Sequence, residues 1–193
     1  MKGRNMRSAA ARSRFVLVTL MLAMALRPAL AGQEILVVSS VDSVLSRDAV
    51  RPGETFKAAV ILEIKKGYHI NDSAPLDEFL YPTSLAFEDS AGIEILETSY
   101  PAGRRAKYDY SDVEVAVYEG RVILGVLLKA AEGLAPGTLK LQGSLSYQAC
   151  DDATCLPPAE LGFEVIVPVV RASQKTVELH PEVFEKIAFH RLP

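Results

Sequence analysis

The chain has 193 residues, of which 49% are hydrophobic and 23% charged, a length and composition that fit one folded domain. Six of the 21 basic residues and none of the 24 acidic residues precede Ala31, so residues 32–193 carry a net charge of −9. An acidic surface argues against nucleic acid or anionic lipid as a partner.

The first 31 residues have the organisation of a secretory signal peptide. Basic residues precede the apolar run FVLVTLMLAMAL, Phe15 to Leu26, and Ala29-Leu30-Ala31 provides a small-x-small cleavage signal. The run is shorter than the roughly 20 apolar residues that span a bilayer, and no cysteine stands at the cleavage point to carry a lipid anchor. We therefore expect export through a cleaved leader, a mature chain that starts near Gly32 without stable membrane insertion, and a compartment where disulfides persist.

The rest of the chain is dominated by strand patterns. Alternating apolar and polar residues between Gly, Pro and polar clusters predict strands within 35–39, 56–64, 84–88, 93–99, 113–118, 122–128, 139–147 and 163–169. Only Pro181–Phe189 predicts a helix, which opens with a proline. This order predicts an all-β, immunoglobulin-like antiparallel β-sandwich over residues 32–171, followed by a C-terminal tail with a short helix over 172–193.

Both cysteines of the chain, Cys150 and Cys155, lie in the stretch YQACDDATCLPP, which runs from Tyr147 to Pro158. The stretch connects a predicted strand that ends near Tyr147 to one that begins near Leu161. Both sulfurs are therefore expected at one end of the sandwich, where a partner protein can reach them. The pair could serve as a structural staple, a metal clip or a redox couple.

Neither the staple nor the metal clip explains the pair well. A bond that closes a six-residue loop removes unfolded-state entropy worth only about 2 kcal/mol. Structural zinc needs about four ligands, whereas His69, His180 and His190 lie far from the cysteines in sequence and are expected at the surface or in loops. A cuprous ion accepts two thiolates, but nothing else in the sequence supports one, so no metal and no cofactor are predicted.

The redox role has its own chemical difficulty. Asp151 and Asp152 lie between the cysteines, and negative charge raises the pKa of a nearby thiol. We therefore expect a dithiol that exchanges slowly until a partner docks. The alternative is a non-catalytic binding or assembly domain that uses the disulfide as a local clip.

The cysteine stretch closely resembles the redox motif of the N-terminal periplasmic domain of the thiol:disulfide interchange family DsbD. Four further stretches resemble that family: GYHIN from Gly67, YPTSLAF from Tyr81, YPAGRRAKY from Tyr100 and VYEGRV from Val117. Together they cover roughly Pro52 to Pro168, which is most of the mature chain.

The resemblance implies an immunoglobulin-like periplasmic domain that receives electrons from a thioredoxin-like domain. It would pass them to oxidised periplasmic proteins, among them disulfide isomerases and thiol proteins of cytochrome c maturation. By position, Cys155 would form the mixed disulfide with a partner and Cys150 would resolve it. Because the sequence ends at Pro193 without the membrane and thioredoxin-like domains of full-length DsbD, a separate membrane reductase would have to supply the electrons.

The family also shields its cysteines with a mobile aromatic cap loop. The best match is KYDYSD, Lys107 to Asp112, in which Tyr108 or Tyr110 is the candidate cap residue; packing of these tyrosines on a sheet edge is the alternative. The stretch Asp77-Glu78-Phe79 also looks like a cap but lies too early in the chain, so we predict an ordinary loop there.

Two residues of the cysteine stretch complete the predicted site. Tyr147 precedes Cys150 and Pro157 follows Cys155 closely in sequence. Both are therefore candidates for contact with the cap or with a partner.

Overall fold

The computed structural model describes residues 36–77, 79–89 and 92–190. The predicted signal peptide lies outside the described residues, as do Ile35, where the first strand was expected to begin, and Glu78. Within the described ranges, no helix has the length and apolar character needed to cross a membrane.

The described residues form short strands and one helical turn. The strands are β1 (Val38–Leu45), β2 (Thr55–Ile64), β3 (His69–Asn71), β4 (Ser84–Phe87), β5 (Ile93–Ser99), β6 (Arg104–Ala106), β7 (Val115–Tyr118), β8 (Arg121–Ala130), β9 (Gly137–Tyr147), β10 (Ala149–Cys150) and β11 (Ala159–Val169). The helix α1 spans Pro181–Phe184.

These strands pair in antiparallel fashion into three sheets, with orders β1-β2-β8-β5, β10-β3-β7-β6 and β11-β9-β4. The fold is an immunoglobulin-like antiparallel β-sandwich, which confirms the predicted fold class. One connection between sheets is the hydrogen bond that Ser43 Oγ of β1 donates to the backbone oxygen of Glu164 on β11, at 2.8 Å.

The core follows the alternation of the longest strands. The inward residues of β2, β8, β9 and β11 are buried in one apolar cluster: Phe56, Ala58, Val60, Leu62, Val122, Leu124, Val126, Leu128, Leu141, Leu145, Phe163, Val165 and Val167. Because successive side chains of a strand point to opposite faces, this period alone decides which face of each strand meets the core.

The C-terminal segment covers the outer face of β8, and its helix is shorter than predicted. After α1 the chain places Ile187 and Phe189 on Gly125, where an added Cβ would clash with Ile187 Cγ2. Ser99 Oγ donates a hydrogen bond to the backbone oxygen of Ala188 at 2.5 Å. The expected helix over Pro181–Phe189 is therefore wrong beyond Phe184, because the following residues pack on the sheet instead of continuing the helix.

The remaining differences from the predicted strands concern short elements. The first strand runs from Val38 to Leu45 instead of ending near Ser39, and β3, β6 and β10 were not predicted. Strands of two or three residues are too short to show a period of two. Two of them, β3 and β10, carry the candidate site.

Candidate redox site

The two cysteines face each other across a tight hairpin and form a disulfide with an S–S distance of 1.98 Å. Two backbone hydrogen bonds flank the pair: the N–H of Asp151 donates to Thr154 O at 2.9 Å, and that of Leu156 to Ala149 O at 2.8 Å. The cysteines thus occupy the position between two hydrogen-bonded pairs, where antiparallel strands approach most closely. Their Cα atoms are 4.0 Å apart. We call residues 149–156 the cysteine hairpin.

The two cysteines differ in exposure. Cys150 is completely buried, whereas Cys155 is partly exposed and is followed by the exposed Pro157 and Pro158. The expectation that both sulfurs are open to a partner is therefore wrong for Cys150, whose strand pairs with β3. An incoming molecule meets the disulfide from the Cys155 side.

Asp151 shapes the turn of the cysteine hairpin. Its Oδ1 accepts the backbone N–H of Ala153 at 2.9 Å and that of Thr154 at 2.8 Å. These two backbone hydrogen bonds hold the pKa of the Asp151 carboxyl below its usual value. The carboxylate between the cysteines is therefore ionised at neutral pH, as the expectation of a slow dithiol requires.

His69 lies directly opposite Cys150 in the pairing of β3 with β10. Residues in direct register on antiparallel strands project to the same face with Cβ atoms about 5 Å apart. His69 is only 2% exposed. The expected surface or loop position is therefore wrong for this histidine, because β3 is covered by the loop that follows β6.

That loop contains the candidate cap residues; we call residues 107–112 the aromatic loop. The Tyr108 ring stacks on the His69 ring with centroids 4.1 Å apart and an interplanar angle of 20°. Tyr110 lies 5.8 Å from the same ring and 5.4 Å from Tyr108, nearly parallel to both. His69 Nε2 and the Tyr110 hydroxyl share a hydrogen bond of 2.8 Å.

The aromatic loop also contacts the cysteine hairpin and an ion pair. The backbone N–H of Asp109 donates to Asp152 O at 3.2 Å. The Tyr108 hydroxyl donates to Glu119 Oε1 and accepts from Arg104 Nη2, both at 3.0 Å, and these two charged groups pair with each other. The loop thus lies against the tip of the cysteine hairpin, where a cap would be expected, while its role as a cap remains a prediction.

Burial dominates the electrostatics of this cluster. It lowers the pKa of His69, against the opposing effect of the Glu119 and Asp152 carboxylates, and it raises the pKa of Tyr110 to about 12. The hydrogen bond from Arg104 lowers the pKa of Glu119. At neutral pH the cluster therefore contains an uncharged imidazole, two protonated phenols and an ionised Arg104–Glu119 pair.

A polar network that sequence reasoning missed ties a second loop to the cysteine hairpin. Gln148 Oε1 accepts the backbone N–H of Tyr81 at 3.1 Å and Asn71 Nδ2 at 3.2 Å, while Gln148 Nε2 donates to Leu156 O at 3.2 Å. Asn71 Nδ2 also donates to Tyr81 O at 3.0 Å. Both residues lie in stretches that the sequence analysis singled out, Gln148 in the cysteine stretch and Asn71 at the end of GYHIN. Their spacing in sequence, however, does not show which groups their side chains bind.

The segment between β3 and β4, which we call the apolar loop, presents large hydrophobic side chains to solvent. Leu76 is 49%, Phe79 87% and Tyr81 42% exposed. The predicted ordinary loop around Asp77 and Phe79 is therefore an apolar surface, held beside the cysteine hairpin by Gln148. Val113, which follows the aromatic loop, is exposed as well.

The other two predicted site residues lie in different environments. Pro157 is exposed, two residues after Cys155. Tyr147 is 2% exposed and belongs to the apolar core cluster at the end of β9. Contact between Tyr147 and a partner would require this side chain to leave the core.

The remaining histidines and acids do not assemble around the cysteines. His180 and His190 are exposed as expected, and their Nδ1 atoms lie 3.7 Å from Glu182 and 3.0 Å from Glu97. Among the side chains of residues 36–77, 79–89 and 92–190, no group of three or more His, Cys, Asp or Glu is placed to hold a metal ion.

Comparison with known proteins places the chain in a family context. The family model described as thiol:disulfide interchange protein DsbD, N-terminal, matches residues 39–166, which include both cysteines, His69 and the aromatic loop. No curated protein sequence matches the chain.

Solved structures of similar domains show low sequence identity. The reduced N-terminal domain of DsbD from Neisseria meningitidis is 19% identical, with 72% of this chain and 88% of that chain covered and a TM-score of 0.38. The N-terminal periplasmic domain of ScsB from Proteus mirabilis is 10% identical, with 66% and 45% covered and a TM-score of 0.44. A complex of the DsbD and PilB N-terminal domains from Neisseria meningitidis gives 15% identity, 63% and 80% coverage and a TM-score of 0.37.

Proposed function

Because this chain belongs to the family of the N-terminal domain of the thiol:disulfide interchange protein DsbD, we propose that it relays electrons between periplasmic proteins through Cys150 and Cys155. The donor would be a thioredoxin-like domain. The acceptors would be oxidised periplasmic thiol proteins, such as disulfide isomerases or proteins of cytochrome c maturation. The leader-like residues 1–31 support export to the periplasm.

The observation that carries this proposal is the unequal exposure of the two cysteines. Cys155 is partly exposed and Cys150 is completely buried. A mixed disulfide can form only at a sulfur that a partner reaches, and it is resolved best by a neighbouring thiol that the partner cannot reach. This difference supports the assignment of Cys155 as the exchanging cysteine and Cys150 as the resolving cysteine.

In the reduced protein, the Cys155 thiolate attacks one sulfur of the partner disulfide. This breaks the partner S–S bond, forms a Cys155–partner mixed disulfide and releases one partner thiolate. The Cys150 thiolate then attacks Cys155 Sγ, which closes the Cys150–Cys155 bond and releases the second partner thiolate. The partner gains two electrons, and a donor dithiol returns them by the reverse sequence.

The surroundings of the disulfide support slow exchange in the absence of a docked partner. The ionised Asp151 disfavours a second negative charge on a nearby sulfur. The aromatic loop lies against the tip of the cysteine hairpin through the Asp109–Asp152 hydrogen bond. We propose that this loop is the cap, with Tyr108 and Tyr110 as its anchoring residues, and that it moves aside when a partner docks.

Partner docking would use the exposed apolar side chains of the loop that Gln148 ties to the cysteine hairpin. The apolar loop contributes Leu76, Phe79 and Tyr81, and Pro157 lies two residues after Cys155. Aromatic side chains at the centre of an interface account for much of the binding energy in protein complexes. The 87% exposed Phe79 is therefore the strongest candidate for a partner contact.

Replacing Phe79 with Ser is expected to lower kcat/KM for exchange with a reduced thioredoxin-like domain about tenfold, the effect of losing one apolar hot spot. The rate with a small thiol should stay unchanged, because Phe79 does not shield the sulfurs. Stopped-flow exchange assays with both reductants measure the difference. The matched control is Ile166→Ser on β11, where the Ile166 side chain is 52% exposed. Ile166 lies seven residues, about 23 Å along the strand, from Ala159, the residue of β11 nearest in sequence to the cysteine hairpin. Equal losses in both variants would contradict the docking surface.

A redox titration of the purified protein separates the relay from a structural clip. Complete burial of Cys150 favours a permanent bond. Structural disulfides of secreted proteins have potentials below about −300 mV, whereas exchangeable ones have clearly higher values. We expect a value above this limit. A lower value would support the binding or assembly domain instead.

A further inference from the structure

His69 is the residue on which the contacts between the aromatic loop and β3 converge. Of the residues in the loop, only Tyr108, Tyr110 and Ser111 are partly buried, while Lys107, Asp109 and Asp112 are exposed. Both tyrosine rings stack on the His69 imidazole, and Tyr110 adds the 2.8 Å hydrogen bond to Nε2.

The position of His69 connects the loop to the disulfide. Its side chain shares a face of the β3–β10 pair with Cys150, in direct register. The same loop reaches the other end of the cysteine hairpin through the hydrogen bond from Asp109 to Asp152. A change at His69 therefore alters how the loop lies against the cysteine hairpin.

We propose that His69 is a positioning residue that holds the aromatic loop against the cysteine hairpin, and that protonation of its imidazole releases the loop. This proposal rests on the proposed exchange function. It predicts that the aromatic loop opens, and that the disulfide becomes more accessible, as the pH falls. The chemistry of exchange stays with the two cysteines.

The direction of the pH effect follows from the surroundings of the ring. In the closed state, the imidazole is buried beneath Tyr108 and Tyr110, which disfavours its charged form. Glu119, Asp152 and Asp151 favour the cation and Arg104 opposes it, but burial outweighs the carboxylates and the closed-state pKa lies below 6.5. An open loop would expose the ring and restore its ordinary pKa. Protonation therefore favours the open state below about pH 6.5 and has no effect well above it.

Reduction of the oxidised protein by a water-soluble phosphine measures access to the disulfide without any protein partner. The phosphine attacks a disulfide sulfur, the S–S bond breaks, and water converts the phosphonium adduct to phosphine oxide and two thiols. At each pH between 5 and 8, the reduction rate of wild type is divided by that of the variant. Protonation of the phosphine changes both rates equally, so it does not affect this ratio.

His69→Phe retains an aromatic ring for stacking but removes the hydrogen bond and the titration. At pH 8 we expect this variant to react about three- to tenfold faster than wild type, the effect of one lost hydrogen bond. At pH 5 the two rates should converge, because wild type is then released as well. Tyr110→Phe removes the same hydrogen bond by deleting the tyrosine hydroxyl, so its reduction rate at pH 8 should equal that of His69→Phe. The double variant should react little faster than either single variant.

The matched control is His190→Phe, since the His190 side chain is 88% exposed on the C-terminal segment. It should keep the wild-type rate and pH profile. Wild-type rates and profiles in both His69→Phe and Tyr110→Phe would overturn the proposal. Because phosphine reports access alone, that result would leave the exchange function untouched, whereas failure of exchange with protein partners would show itself in the cysteine variants described below.

Discussion

A Cys150→Ala variant is expected to accumulate covalent adducts with its partners, whereas a Cys155→Ala variant is expected to accumulate none. In the first variant, the partly exposed Cys155 can still attack a partner disulfide, but no thiol remains to resolve the mixed bond. In the second, the remaining thiol is Cys150, which is completely buried. Turnover of exchange should fall to background in both variants.

The adducts are measured in periplasmic extracts by acid quenching, blocking of free thiols and non-reducing electrophoresis, followed by mass spectrometry of the bands that reductant releases. The Cys150→Ala, Cys155→Ala double variant provides the background. Thermal melts check folding, since loss of this short cross-link costs only about 2 kcal/mol. Equal trapping through either cysteine would refute the assignment of roles, and no trapping in either would refute the relay.

The second large effect concerns Tyr147, and it is an effect on stability. Tyr147→Ala is expected to lower the free energy of unfolding by about 3–5 kcal/mol, as for other large aromatic residues removed from a core. The side chain is 2% exposed within the apolar cluster, at the end of β9. Urea denaturation of the oxidised protein measures this loss.

Tyr147→Phe is the matched variant because it retains the ring in the core. We expect it to exchange with a thioredoxin-like partner at the wild-type rate, so that Tyr147 acts through packing and not through contact. A loss below about 1 kcal/mol in Tyr147→Ala would contradict the core assignment. If Tyr147→Phe is as stable as wild type but exchanges more slowly with the thioredoxin-like partner, the result would support the predicted contact between Tyr147 and a partner.

The resemblance carried by the cysteine stretch predicted more of the site than periodicity did. It predicted a cap at residues 107–112; the structure places this loop against the cysteine hairpin through Asp109 and Asp152, while its role as a cap stays a prediction. Periodicity could not show this, because the contact joins two loops separated by about 40 residues in sequence. Strand patterns constrain the faces of strands but not the partners of loops.

His69 shows the limit of reading one residue at a time. In sequence it is an isolated histidine 81 positions before Cys150, with no cluster of ligands or acids around it. In the fold, pairing of β3 with β10 places it opposite that cysteine and beneath two tyrosines. A three-residue strand has no period from which this register could be inferred.

The sequence by itself determined the class of fold and the two cysteines that form the disulfide. The period-two alternation in strands such as Thr55–Ile64 and Arg121–Ala130 specifies which face of each strand meets the apolar core cluster, and two cysteines separated by four residues suit a tight turn. Only the tertiary structure decided that Cys150 is buried while Cys155 is partly exposed, and that Tyr147 packs in the core. Burial depends on which distant segments cover a residue, and those contacts form between strands and loops whose pairing no local pattern encodes.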